Sequence, residues 1–315
     1  MRYILLPLFV LVAGCGSVQK MAIRSSTPVF QKSGDLLMRE KNWNFFKDSA
    51  PGNIKFLEML ALQDPNNLKL KGVLIKGIAG YAYAVPETLY FGDTLAGKEN
   101  SNWKNEAIYH YTRALDYGLE YLEKKGINRN DLLSMEEVQL KELLKKKIEA
   151  DDVIAILYTA QSWGSLINLQ KDNIALVTQV PKVKLLFDRI CEINPDIEYG
   201  VCDIFFAQYE ASRPRMLGGN PEKAEENYQL TMRKYPKNLL VRLNYIQFMI
   251  LPGFDEQKYE EQEKFLSIEF EKWADLNRDN LKDNSEYHSV PELNLFNAIA
   301  KKRFDLIEKN KKKIF

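Results

Sequence analysis

Histidine and cysteine are scarce: the 315-residue chain holds 2 of the first and 3 of the second. That leaves little material for a metal centre or for a nucleophile paired with a histidine base, so an enzyme is not expected. Neither His110 nor His288 stands at a metal-ligand or triad spacing. No metal or cofactor is expected either. A surplus of one charge is missing too. Lys and Arg number 44 against 43 acidic residues, a formal charge of +1, without the basic excess typical of nucleic-acid binders. The apolar run Tyr3–Val12 is too short to span a bilayer as a mature helix. What is present is 45% hydrophobic residues, enough for a sizeable core, with Gly and Pro falling mostly between periodic apolar segments. That distribution predicts an all-α protein.

The stretch from Ile204 to Pro236 predicts a helical hairpin. Ile204, Phe205, Gln208, Tyr209 and Ser212 share a helical face, and Pro214 ends that helix. Gly218-Gly219 suits a turn needing positive φ, and Asn220-Pro221 supplies an N-cap and a first helical residue. Gly218-Gly219 lacks the Lys-Ser/Thr of a phosphate loop, so no nucleotide binding is expected. Ala224, Tyr228 and Thr231 before Pro236 nearly reproduce the small–aromatic–small–proline spacing of a tetratricopeptide (TPR) repeat. Ala107, Tyr111 and Ala114 repeat the spacing. Val183, Phe187, Ile190 and Pro195 repeat it with larger residues, and Asn53, Leu57, Leu60 and Pro65 repeat it weakly. Four imperfect copies predict a degenerate TPR-like α-solenoid of stacked antiparallel hairpins.

Around these copies the spacing predicts a helix over 36–46, a turn at Ser49–Asn53, and a helix from there to Gln63. The helix predicted at 67–89 carries Gly72, Gly77 and Gly80 with Tyr81 and Tyr83. Close helix packing explains such a pattern, and so does the wall of a cavity. Residues 123–150 form a charged insertion with Ser134 and Glu137 as a capping box. Cys191 and Cys202 flank the Asn194-Pro195-Asp196 turn. Two buried unpaired thiols are the favoured reading there, with a disulfide as the alternative. The lysines from Lys301 to Lys313 read as a solvated face at a helix C-terminus.

Val12-Ala13-Gly14-Cys15, after a short cationic start and an apolar run, closely resembles the lipobox of bacterial lipoproteins. The resemblance implies a signal peptide over 1–14, a lipidated Cys15 and tether over 15–35, and a folded body over 36–315. No aspartate follows the cysteine, so the implied address is the outer membrane, lipid-anchored on its periplasmic face.

Several segments together resemble the T component (TatT) of TRAP-type transporters. They are Ala160–Leu169 (AQSWGSLINL), Val180–Asp188 (VPKVKLLFD) and Glu210–Ala224 (EASRPRMLGGNPEKA). Leu295-Phe296-Asn297 with Ala300 and Arg303, and Pro51 through Pro65, add to the likeness. The charged 123–150 insertion and Phe304 depart from it. The resemblance implies a periplasmic lipoprotein that forms a homotrimer and pairs with a TRAP substrate-binding protein. It also implies passage of a small hydrophobic or organic-acid ligand through an internal cavity. Pattern and resemblance together nominate Tyr81, Tyr83, Tyr158, Trp163 and Tyr209 as ligand-lining aromatics, with Arg213 and Arg215 facing an anionic head group. The alternative is a TPR scaffold lipoprotein that organises envelope proteins without a small-molecule ligand.

Overall fold

The computed structural model describes residues 5–274, 287 and 289–315, apart from the side chains of residues 5–15 and Leu217. His288 lies outside the described residues, as does the Cys15 side chain. Among the described residues every regular element is helical, as expected. No helix among them is long and apolar enough to cross a membrane.

The chain opens with α1 (Leu5–Leu37) and α2 (Trp43–Gln63), followed by α3 (Leu68–Ala82). The tether expected over 15–35 is helical here, and two of its residues, Ile23 and Thr27, are buried. Arg24 grips Asp64 through two nitrogens at 2.6 and 3.1 Å, and Asn67 donates to the Thr27 hydroxyl at 2.8 Å. The predicted helix over 36–46 straddles a real boundary instead. Asn42 caps α2 by accepting from the Phe45 amide at 3.0 Å.

Ser49–Asn53 is not a turn, because α2 runs straight through Pro51. Pro51 is exposed, so the carbonyl that loses its partner is left to water. Trp43, Phe46, Ala50 and Ile54 are buried at helical spacing on the other face and hold the helix together. The Asn53, Leu57, Leu60 copy of the repeat therefore sits out of register. Asn53 is exposed, and the inner face is carried by Ile54, Glu58 and Ala61.

Helix α3 occupies the centre, packed on α1 and α2 on one side. On the other it meets α5 (Asn102–Lys124) and α8 (Val153–Leu169), after α4 (Thr88–Leu95) has turned the chain. Leu70, Leu74, Ile75 and Ile78 are wholly buried there. Each contributes about 1.5–3 kcal/mol relative to exposure. Between α3 and α4 the single expected helix is interrupted by a π-helical turn, Tyr83–Glu87, that contains Pro86. The missing proline N–H breaks the ordinary hydrogen-bond ladder, and the wider turn absorbs the break.

The insertion folds as α6 (Arg129–Ser134) and α7 (Glu137–Lys147). Its capping box is made by Asn128 and Asp131 rather than by Ser134 and Glu137. Ser134 ends α6, its hydroxyl donating back to the Asn130 carbonyl at 2.7 Å. After α8 come α9 (Ile174–Val177), α10 (Val180–Ile193), α11 (Val201–Ala211) and α12 (Pro221–Lys234). Cys191 and Cys202 are joined in a disulfide, Cα to Cα 5.9 Å, which corrects the favoured reading of free thiols. Glu198, Tyr199 and Gly200 take positive φ in succession (48°, 54° and 103°), folding the intervening loop tightly enough to bring the two sulfurs together. Gly200 has a second constraint, since a Cβ there would lie 2.7 Å from the Tyr235 ring.

The α11–α12 hairpin forms as predicted. Gly218 has φ 82°, and a Cβ on Gly219 would lie 1.8 Å from the Arg213 carbonyl oxygen. Asn220 accepts from the Lys223 amide at 2.9 Å, closing the turn onto the new helix. The chain ends with α13 (Leu239–Tyr245), a second π-helical turn at Ile246–Ile250, α14 (Leu251–Gly253), α15 (Glu256–Ala274) and α16 (Asn294–Ile314). This π turn is followed by a proline, Pro252, whereas the first contains one. Helix α16 crosses back over α4 and α13. Its Asn297 accepts from the Leu239 amide at 2.9 Å and donates to the Lys237 carbonyl at 3.0 Å, pinning the start of α13.

Candidate functional site

The two π-helical turns face a polar cluster set inside the helical core. Arg303 is its centre: 1% of the residue is exposed, although it lies among Ile299, Ala300, Phe304 and Ile307 on the buried stripe of α16. Its Nε donates to Thr88 Oγ1 at 3.0 Å and its Nη1 to Gln247 Oε1 at 2.9 Å. Its Nη2 donates to the Tyr83 carbonyl at 3.2 Å and lies 3.4 Å from Glu87 Oε1. The guanidinium also stacks 4.2 Å from the Tyr83 ring. Burial works against this charge, and Tyr83, Glu87 and Tyr111 outweigh it and keep the pKa raised. A buried cation is tolerable only with this degree of pairing.

Glu87 also accepts from the Tyr111 hydroxyl at 2.5 Å. Burial, followed by Glu87, pushes the Tyr111 phenol well above its ordinary range, so it stays a donor. On the opposite wall Gln208 of α11 donates to Asn244 of α13 at 2.7 Å. Tyr228 of α12 is fully buried, with its ring 5.5 Å from that of Tyr245. Its hydroxyl has no hydrogen-bond partner among the described residues. Burial pushes this phenol well above its ordinary range, and the Gln208 side chain beside it partly offsets the rise.

This wall is not closed. Tyr83, Glu87, Gln208 and Gln247 keep accessible surface although their helices run through the centre of the fold. Burial nonetheless raises the Tyr83 phenol pKa. Partly accessible polar side chains thus surround a buried arginine, and this cluster is called the recess below. Gly80, one turn before Tyr83, has open space where a Cβ would stand. At Gly72 and Gly77 a Cβ would make ordinary contacts of 3.5 Å with Ala155 and Ile54. The glycines of α3 are therefore not forced by close helix approach.

The structure does not gather all the nominated residues. Tyr83 lies in the recess, and Tyr81, before it, packs edge-on to His110 at 5.0 Å. Tyr158 is buried on α8, near Glu198 and 5.7 Å below Lys76; the Lys76–Glu198 pair is 2.8 Å long. Trp163 is buried too, its indole N–H donating to Gln179 at 2.8 Å. Tyr209 belongs to an outer face, where the Arg213 guanidinium stacks on it at 3.7 Å and also reaches Glu210 at 3.2 Å. Arg215 is exposed and paired with Glu222. Beside Tyr209 runs an open groove of about 570 Å³ between α11 and α12, whose walls include Lys184, Phe206, Glu210, Lys223 and Lys234. Glu87, Tyr111, Tyr228 and Arg303 were not nominated. Their signals were an arginine in an apolar helical stripe and prolines inside two apolar helices.

The family model for the TRAP transporter T-component matches residues 39–315. The chain belongs to the TRAP transporter T-component family. Every helix of this T-component from α2 onward lies in the matched span, and the recess lies wholly within it. No curated protein matches this T-component. The family is one of transport-associated components, not of enzymes. Among the described residues, no three His, Cys, Asp or Glu side chains gather as metal ligands would.

Proposed function

We propose that this T-component is a lipid-anchored accessory binding protein of a TRAP-type transporter, working on the periplasmic side with a TRAP substrate-binding protein. Its helical hairpins form a TPR-like array, and the inner recess takes up a small ligand, hydrophobic or an organic acid. The observation that carries this reading is the recess itself. A fold that buries an arginine in its core, with Tyr83, Glu87, Gln208 and Gln247 around it keeping accessible surface, departs from ordinary core packing, as binding sites do. Family membership supplies the transport context. Anchoring rests on Cys15 closing the Val12-Ala13-Gly14 motif. A Cys15→Ala chain should lose acyl labelling and leave the membrane fraction; persistent palmitate labelling would refute the anchor.

The exposed apolar side chains Phe45, Phe56, Met59 and Leu62 along α2 favour a contact with protein as well. They suit either the homotrimer or the scaffold reading. Extraction of the purified full chain, with mass spectrometry of what is released, separates binding from scaffolding. A small molecule recovered near one per chain supports binding. An empty extract from protein purified without detergent exchange leaves only the scaffold.

A further inference from the structure

Helix α1 presents two different faces between residues 16 and 37. Its inner face is fixed to the body. Ile23 and Thr27 are buried there, and Phe30 packs edge-on to Phe56 of α2 at 6.0 Å. The Arg24–Asp64 pair and the Asn67–Thr27 hydrogen bond hold this side of the helix, and Gln19 reaches Gln63 at 3.4 Å. The outer face is apolar or small. Val18, Ala22, Ser25, Val29 and Leu36 recur at three- and four-residue spacing with Met21 beside them, and all are exposed. Val18, Met21, Val29 and Leu36 keep between 61% and 69% of their surface. A stripe of exposed apolar side chains on one helix marks a contact surface.

Two observations say what that surface meets. Position 15 falls in the stripe's own register, three residues before Val18, and the backbone continues from it to Leu37 as one helix. No flexible linker therefore separates the proposed point of lipid attachment from the stripe. The second observation is charge. Between residues 16 and 37 the bases Lys20, Arg24 and Lys32 face one acid, Asp35, and both lysines are exposed. Arg24 is already engaged by Asp64, which leaves Lys20 and Lys32 to meet anionic headgroups. An apolar stripe flanked by cations, on a helix not apolar enough to cross a bilayer, is the composition of a helix that lies in the membrane interface.

We propose that α1 lies along the phospholipid surface, with its Val18–Leu36 stripe seated at the boundary between headgroups and acyl chains, so that the lipid on Cys15 and the stripe together hold the body in one orientation. The proposal rests on the anchor reading of Cys15 and adds an orientation to it. Because the inner face of α1 is bonded to α2 and to the start of α3, seating this helix sets how the whole helical body stands on the membrane.

Val29 is the position that decides. It follows Cys15 by 14 residues, about 21 Å along a helix that rises about 1.5 Å per residue. A helix standing upright on its anchor carries Val29 clear of a headgroup layer about 5–7 Å deep, whereas a helix lying down keeps it at that layer. Cys191 and Cys202 are bonded to each other and Cys15 is acylated under this reading, so an introduced cysteine is the reactive thiol. Val18→Cys and Val29→Cys are each labelled with an environment-sensitive fluorophore in the full chain, reconstituted in vesicles of phosphatidylethanolamine and phosphatidylglycerol. Val138→Cys, at an exposed position of α7, is the control. Quenching is measured with nitroxide-bearing lipid and with aqueous iodide. The labels at 18 and 29 should be quenched by the lipid nitroxide at least about twofold more strongly than the label at 138, and less strongly by iodide. Lipid quenching at 18 alone would show an upright helix and overturn the seating. A label at 29 shielded from both quenchers would show the stripe buried against protein, and equal lipid quenching at 29 and 138 would show no fixed orientation; either would overturn it too. The acyl mass on Cys15 in the same preparation separates the two readings: an acylated chain with an unquenched label at 29 loses only the seating, and an unacylated chain loses the anchor as well.

Discussion

Gly118 shows how one residue sets the spacing of two helices. A Cβ there would lie 2.2 Å from Thr159 Oγ1 and 2.4 Å from its methyl group. Thr159 is fully buried and its hydroxyl is tied to the Ala155 carbonyl at 2.6 Å, so it has no room to turn aside. Gly118→Ala should therefore destabilise by about 1–3 kcal/mol, the usual cost of overpacking, despite alanine's better helix propensity. Urea unfolding measures this, and a stabilised variant would show that α5 and α8 are further apart. Glu58 makes a prediction in pH. Burial pushes its carboxyl up, but Lys55, Arg113 at 2.5 Å and Tyr117 at 2.9 Å hold it down to about 2 from its ordinary 4.5. A depressed folded-state pKa gives stability that is present above 4.5 and is lost as pH falls toward 2. The stability difference between the parent and Glu58→Gln should thus shrink between pH 6 and pH 3. A constant difference would mean that Glu58 is not held ionised. Arg303 marks where reading single residues from sequence stopped short. Its place in an apolar stripe was visible, but its partners come from the chain around 83–88 and 247, which no local spacing connects.

At the level of elements, amphipathic spacing was a good guide where it was strong and misleading where proline intervened. Ala107, Tyr111 and Ala114 on α5, and Ala224, Tyr228 and Thr231 on α12, are all buried as the repeat spacing predicts. Pro51 reads as a breaker, yet it lies on a solvated face, where a lost hydrogen bond costs least. Pro86 lies inside one π turn and Pro252 follows the other, an outcome that turn signals do not encode. The Cys191–Cys202 pairing was equally hidden. It depends on three consecutive positive φ angles, two of them at non-glycine residues. Glu198, one of these, is held by Lys76 at 2.8 Å, a contact 122 residues away in sequence. Alkylation of denatured, unreduced protein should label neither Cys191 nor Cys202, and both should label after reduction. Removing the bridge should cost about 2–4 kcal/mol, typical of a short closed loop. Two thiols labelled without reduction would contradict the fold at this corner.

Across the whole molecule, the fold class and the family were legible because hydrophobic periodicity and the Arg-Pro-Arg-Met-Leu-Gly-Gly turn are both continuous in sequence. The recess was only half legible. Of the nominated aromatics, Tyr83 lies in it, whereas Tyr158 and Trp163 are buried in contacts of their own and Tyr209 stacks under Arg213. The cluster is assembled by packing several helices and two π turns, so its lining is a property of the tertiary fold rather than of any segment. The central claim is that this recess is the ligand-binding part of a transport component. Native mass spectrometry of the full chain, released gently from nanodiscs, tests it most directly when parent and Tyr83→Ala are compared. The account predicts a discrete small-molecule mass increment on the parent that is absent or strongly reduced in the variant, with both proteins folded by circular dichroism. An equal increment on both, or none on the parent, would contradict it.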